Sequence, residues 1–230
     1  MRQLGKIQCL EVNNDDYQNQ IEYPWIILFH GYGADAHDLF QLHEFVQPKQ
    51  KYNWLFPNGF LSVPIGPAWT GRAWWNIDMR EIEQAAMRGE TRDFSDRIPD
   101  GLNTARENAM KMIEQLKVPW NQIVLGGFSQ GAMLATELYL NAPETPKGLM
   151  LLSGTLLCKD RWAELTKNRK GQKFYQSHGK NDLVLGHNHA AALNTVLNQN
   201  GMHGSLSSFN GAHEIPPNVL RGMTDYLNQI

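Results

Sequence analysis

Ile123-Val124-Leu125-Gly126-Gly127-Phe128-Ser129-Gln130-Gly131-Ala132-Met133-Leu134-Ala135 is the stretch that decides the fold. An apolar run of β type feeds a glycine-rich turn with a serine at its tip, and a helix-forming segment follows. Gly127-x-Ser129-x-Gly131 in that setting reads as a nucleophile elbow, a strained strand-to-helix turn that exposes a serine Oγ at the end of a sheet. The flanking glycines answer a steric need, because a Cβ at either would meet the neighbouring strand or the helix start. The helix behind aims N–H groups and the positive end of its dipole at the reacting centre. The bare five-residue string recurs in ordinary turns. Its weight here comes from the strand before it, the helix after it and the partners further along.

Toward the N-terminus, Trp25-Ile26-Ile27-Leu28-Phe29 is a continuous apolar run, as expected of a strand covered on both faces. It ends in the glycine loop His30-Gly31-Tyr32-Gly33-Ala34-Asp35. Residues 7–12 read as an outer strand, 13–20 as a polar turn and 52–56 as a strand. Residues 38–45 read as a helix, with Leu39, Leu42, Phe45 and Val46 at helical spacing. Residues 60–78, rich in Pro, Gly and Trp, read as one long loop, too apolar for a linker. Residues 79–88 and 100–116 are amphipathic, and Pro119 stops the second helix. Beyond the elbow come strands over 149–154, 173–178 and 205–209, and helices over 161–167, 187–198 and 217–227. No repeat or linker interrupts the chain, which reads as a single domain over residues 1–230. The alternation implies an α/β architecture, a mostly parallel sheet flanked by helices on both faces.

With 230 residues the chain can bury a sizeable core unaided. A net charge of −2 gives no electrostatic case for nucleic acid. The basic cluster Lys167, Arg169, Lys170 and Lys173 reads as a solvated surface. Cys9 and Cys158 lack metal-ligand spacing and a disulfide framework, so both read as buried, reduced thiols. The first eight residues lack the apolar stretch of a signal peptide, and no segment approaches a membrane span. Stable membrane insertion is not expected, and a cytoplasmic location is the default.

In an open parallel sheet, sites form where loops leave the carboxyl ends of the strands. Four polar turns read into that position: 30–35, 127–131, 178–182 and 210–214. They supply a serine, an acid and a histidine in the chain order of α/β-hydrolases. Ser129 is the candidate nucleophile, which needs a base within hydrogen-bond reach. His213 is the candidate base, and Asp182 would hold its other ring nitrogen. The backbone N–H groups of Tyr32 and Gln130 are the candidate oxyanion hole. His178 begins the turn that carries Asp182 and reads as ordering it. His187 and His189 fall on different faces of a helix without a third ligand, so no metal is expected. His30 reads as a packing or hydrogen-bonding residue, and Asp160 and Glu164 fit a helix start better than a triad.

Four stretches carry a resemblance: His30-Gly31-Tyr32-Gly33-Ala34-Asp35, Arg72-Ala73-Trp74-Trp75, Gly127-Phe128-Ser129-Gln130-Gly131-Ala132, and His178-Gly179-x-x-Asp182 with His213-Glu214-Ile215. They resemble the phospholipase/carboxylesterase family, which contains bacterial carboxylesterases and acyl-protein thioesterases. The resemblance implies an α/β-hydrolase fold, ester hydrolysis without metal or cofactor, and the roles just given. The chain departs from the thioesterase branch, which resembles Gly-Leu-Gly-Asp where Gly31-Tyr32-Gly33-Ala34-Asp35 stands. It also has Trp74-Trp75-Asn76 where the family usually shows Trp-Phe-Asp, and the glycine before His213 sits elsewhere. The triad is untouched, while loops bordering the acyl and leaving-group sites are changed.

The expectation is therefore a serine carboxylesterase acting on short-to-medium acyl or aryl esters through an acyl-enzyme. An acyl-protein thioesterase or lysophospholipase is the alternative within the same chemistry. A silent scaffold serving as a binding protein is the alternative of another class, and the intact Ser129, Asp182 and His213 speak against it. The partner is a small-molecule ester or thioester, and a homodimer is left open. Leu61, Val63, Ile65, Trp69, Trp74 and Trp75 are expected either to line an apolar acyl groove or to pack their loop onto the body. Little room separates Gly154 from Phe174, so no large lid domain and no interfacial activation are expected.

Overall fold

A computed structural model describes residues 1–16, 18 and 22–230 of the chain. Residues 17, 19 and 20 of the expected turn lie outside them. The strands are β1 (Arg2–Leu4), β2 (Ile7–Val12), β3 (Trp25–Phe29), β4 (Asn53–Pro57), β5 (Leu61–Pro64), β6 (Thr70–Ala73), β7 (Ile123–Phe128), β8 (Gly148–Leu152), β9 (Phe174–Gly179) and β10 (Leu206–Phe209). The helices are α1 (Ala36–Phe40), α2 (Leu42–Phe45), α3 (Met79–Met87), α4 (Leu102–Leu116), α5 (Gln130–Asn141), α6 (Lys159–Thr166), α7 (His187–Gln199) and α8 (Pro217–Leu227).

Eight strands form one sheet in the order β1-β2-β4-β3-β7-β8-β9-β10. The run from β4 to β10 is parallel, and β2 and β1 continue it antiparallel. Period-two alternation shows why the central strands are apolar throughout. Trp25, Ile27 and Phe29 of β3 join Leu125 and Leu149 in one core, under α4, α5 and α7. Ile26 and Leu28 join Val124 and Met150 in the other, under α1 and α8. Both faces are covered, as the sequence implies. α5 is buried over residues 130–140, which explains why its sequence shows no polar stripe.

Three expectations are corrected. Residues 7–12 form a strand, but β1 lies outside it, so β2 is not the sheet's outer strand. The expected loop over 60–78 contains an antiparallel hairpin, β5 with β6. The expected helix over 38–45 is two short helices joined at Gln41, and Phe45 is 62% exposed rather than buried with Leu39 and Val46. Pro48 lies just beyond, where a proline would interrupt a continuing helix.

Candidate active site

Ser129 sits at the carboxyl end of β7 with φ 56° and ψ −120°, a strained conformation for a residue with a side chain. The two flanking glycines are forced by contact. A Cβ on Gly131 would lie 1.9 Å from the Phe29 carbonyl oxygen, and one on Gly127 would lie 2.4 Å from the Gly131 carbonyl. Because β3 pairs with β7 in register Phe29↔Gly127, the loop leaving β3 passes directly beside the serine. A Cβ at Gly31 would come within 3.2 Å of the Ser129 Cβ. Tyr32 follows in this loop, and its N–H has no hydrogen-bond partner among the described residues.

The other two chemical groups arrive from the neighbouring strand ends. β9 and β10 pair in parallel, and bonds from Lys180 N–H to the Phe209 carbonyl (2.9 Å) and Asn181 N–H to the Gly211 carbonyl (3.0 Å) carry the pairing into their loops. Gly179 permits this approach, since a Cβ there would lie 2.1 Å from the Ala212 carbonyl oxygen. The result is a hydrogen bond of 2.6 Å between His213 Nδ1 and Asp182 Oδ2. Asp182 Oδ1 takes the N–H groups of Val184 and Leu185, both at 2.9 Å. His178 Nε2 lies 3.2 Å from Oδ2 and 2.5 Å from the Leu185 carbonyl oxygen. Burial raises the Asp182 carboxyl pKa, but bonds from His178 and His213, the charge on His213 and the Leu185 N–H outweigh it. The carboxyl is held well below its usual range.

Ser129, His213, Tyr32 and Gln130 all line one cavity of about 400 Å³, within the range of small-molecule sites. No hydrogen bond joins Ser129 to His213 among the described residues; such bonds are often long or poorly aligned until substrate binds. His213 is further fixed by the Phe128 ring, with centroids 4.7 Å apart.

The six apolar candidates fare unequally. Trp75 lines the cavity. Trp74 is fully buried instead, with its indole N–H donated to the His30 carbonyl at 2.9 Å. Leu61, Val63, Ile65 and Trp69 lie on or beside the hairpin and do not line the cavity, correcting their expected place in the groove. Val63 is buried, while Ile65 and Trp69 are exposed. The hairpin instead buttresses the loop that carries Tyr32: Gly33 N–H donates to the Arg72 carbonyl at 2.8 Å, and Arg72 N–H donates to the Ala34 carbonyl at 2.9 Å. The apolar wall comes from Ile77, Ile82, Phe94, Ile98 and Leu157. The amphipathic pattern over 79–88 announced an apolar face there, but gave no sign that it covers a cavity.

The remaining histidines take local roles. His30 Nδ1 pairs with the Gly31 carbonyl at 2.7 Å and Nε2 accepts the Gly59 N–H at 2.8 Å. Burial pushes the His30 pKa down to about 4, so it is neutral at pH 7. His187 pairs with Ser208 at 2.7 Å, and His189 lies 3.7 Å from Asp93.

A family model described as phospholipase/carboxylesterase matches residues 9–230. Acyl-protein thioesterase 1 homolog 1 of Dictyostelium discoideum is similar at 23% identity over 209 residues, 89% of each chain. The crystal structure of esterase PE8 is similar with a TM-score of 0.78 at 21% identity, covering 97% of this chain and 99% of that one. The Bacillus cereus carboxylesterase structure gives a TM-score of 0.70 at 18% identity, covering 97% and 94%.

Proposed function

The chain belongs to the phospholipase/carboxylesterase family of α/β-hydrolases, and from that premise we propose that Ser129, His213 and Asp182 are its catalytic triad. A serine hydroxyl is a weak nucleophile until a base takes its proton. His213 Nε2 takes that proton as Ser129 Oγ bonds to the ester carbonyl carbon. The carbonyl electron pair moves to oxygen, which accepts the N–H groups of Tyr32 and Gln130. As the tetrahedral intermediate collapses, the C–O bond to the alcohol breaks and His213 returns its proton to the leaving oxygen. Water, deprotonated by His213 in turn, attacks the acyl-enzyme and releases the acid. Asp182 fixes the tautomer and stabilises the imidazolium that forms in each half.

The observation that carries this reading is the 2.6 Å bond from His213 Nδ1 to Asp182, on a histidine that opens on the same cavity as the elbow serine. The cavity supports short-to-medium acyl or aryl esters as small-molecule substrates. Acyl-protein thioesters are the second reading, favoured by the name of the Dictyostelium relative. None of the described helices is long and apolar enough to cross a membrane; a cytoplasmic location belongs to the proposal. Fluorophosphonate labelling and a panel of p-nitrophenyl esters and acyl-thioester peptides test the reading. Labelling that disappears in Ser129→Ala supports it, and hydrolysis equal in that variant overturns it.

A further inference from the structure

Away from the catalytic cavity, a second hollow of about 230 Å³ lies between the turn joining β1 to β2, the segment after β4, and β6. Gln3, Lys6, Gln8, Asn58 and Arg72 line it, and no carboxylate does. Two of these residues have donors that no protein group takes up among the described residues. The half-buried Arg72 side chain forms no ion pair or hydrogen bond among the described residues, as is also true of the exposed Arg80 and Arg221, whereas the partly buried Arg92, Arg106 and Arg161 each hold a carboxylate. Asn58 is more than nine-tenths buried. Its Oδ1 is spent on the Ala36 N–H at 2.7 Å, which fixes the amide and leaves its NH2 donors without an acceptor among the described residues.

The guanidinium, the ammonium and the amide NH2 around this polar hollow form a set of donors without a carboxylate, which suits an anion that carries several acceptor oxygens. We propose that this hollow binds a phosphate group, free or as a small phosphomonoester, on Arg72, Lys6 and Asn58. Charge balance selects the ligand class. The two cations match the charge of about −1.5 to −2 that a phosphate monoester carries near pH 7, where a monocarboxylate would leave one cation uncompensated. Guanidinium forks also suit phosphate oxygens in a bidentate contact. The site bears on the loop beside Ser129, because Arg72 and Asn58 are the residues whose other groups hold Gly33, Ala34 and Ala36. It stands on the hollow alone and not on the catalytic reading, since none of its ligands lines the catalytic cavity.

Calorimetric titration of the full chain with inorganic phosphate, glycerol phosphate and acetate at one ionic strength tests it. Phosphate or glycerol phosphate should bind at least tenfold more tightly than acetate, and whichever binds better names the source. Lys6→Gln and Arg72→Gln should each weaken that binding at least tenfold. Lys6 is exposed in a turn, so its variant keeps the test open if Arg72→Gln fails to fold. Phosphate that binds no better than acetate overturns the proposal. So does phosphate binding untouched by Lys6→Gln, which would place the anion elsewhere, the catalytic cavity included.

Discussion

Gln130 donates its side-chain Nε2–H to the Trp75 carbonyl at 2.8 Å, and its Oε1 takes the Trp74 N–H at 3.0 Å. One side chain thus ties the elbow helix to the tryptophan segment that walls the cavity. Gln130→Leu would orphan two buried backbone groups, at roughly 1–3 kcal/mol each. We expect a clear loss of thermal stability and a fall in kcat/KM, with Gln130→Glu, which sets a buried carboxylate oxygen against the Trp75 carbonyl, at least as damaging. Differential scanning calorimetry and ester kinetics on the same samples check this.

Asp182→Asn leaves the loop geometry in place but offers His213 Nδ1 an amide that can present a donor. The wrong tautomer then faces Ser129. We expect kcat to fall by about 10⁴ with little change in folding, as for the same exchange in a serine protease triad. Near-normal kcat would move the acid to another residue.

The elbow and the order Ser, Asp, His were legible in the sequence because each depends on local chemistry: glycines where Cβ atoms collide, and polar turns where strands end. The tryptophan stretch left lining and packing undecided because local apolarity does not say which partner an aromatic meets. Trp74 and Trp75 are adjacent and both are buried in the same core, yet only Trp75 also lines the cavity. The hairpin β5–β6 was hidden behind its Pro and Gly content, and the short β1 carried too few residues to show a period. Glu137 was invisible for another reason. Its partners lie on two other helices.

Glu137, fully buried on α5, receives Arg106 at 2.7 Å from α4, Arg161 at 2.5 Å from α6, and the Trp162 indole N–H at 2.8 Å. Removing the buried carboxylate leaves the Trp162 indole N–H without its acceptor and two partly exposed guanidiniums without their counterion, at the lower end of about 3–5 kcal/mol. Glu137→Ala should therefore lower the urea midpoint sharply. The folded fraction should keep its KM, because Glu137 does not line the cavity.

His30 gives the fold an acid limit. Its pKa is lowered by burial to about 4 when folded, against about 6.5 unfolded. Below pH 6.5 the unfolded chain binds a proton that the folded chain refuses, so stability rises with pH across that window. The contribution is fully present above about pH 6.5 and is lost as pH falls toward 4, roughly 3 kcal/mol in all. His30→Gln is expected to be less stable at pH 7 but to show a flatter stability profile between pH 6.5 and 4. Urea titrations at a series of pH values read this directly, and an equally steep profile in the variant would rule the assignment out.

His178 shares with His213 a single oxygen of Asp182. Its Nε2 faces only acceptors, Asp182 Oδ2 at 3.2 Å and the Leu185 carbonyl at 2.5 Å, so that nitrogen carries the hydrogen. An N–H on Oδ2 draws off part of the negative charge that would otherwise stabilise a charged His213. Its removal in His178→Phe should therefore favour the imidazolium and move the acid limb of the kcat/KM profile to higher pH. His178→Gln, which can return an N–H to the same place, should restore the wild-type limb. If both variants lose activity equally at every pH, His178 does no more than hold the turn, and its bond to Asp182 has no bearing on proton transfer.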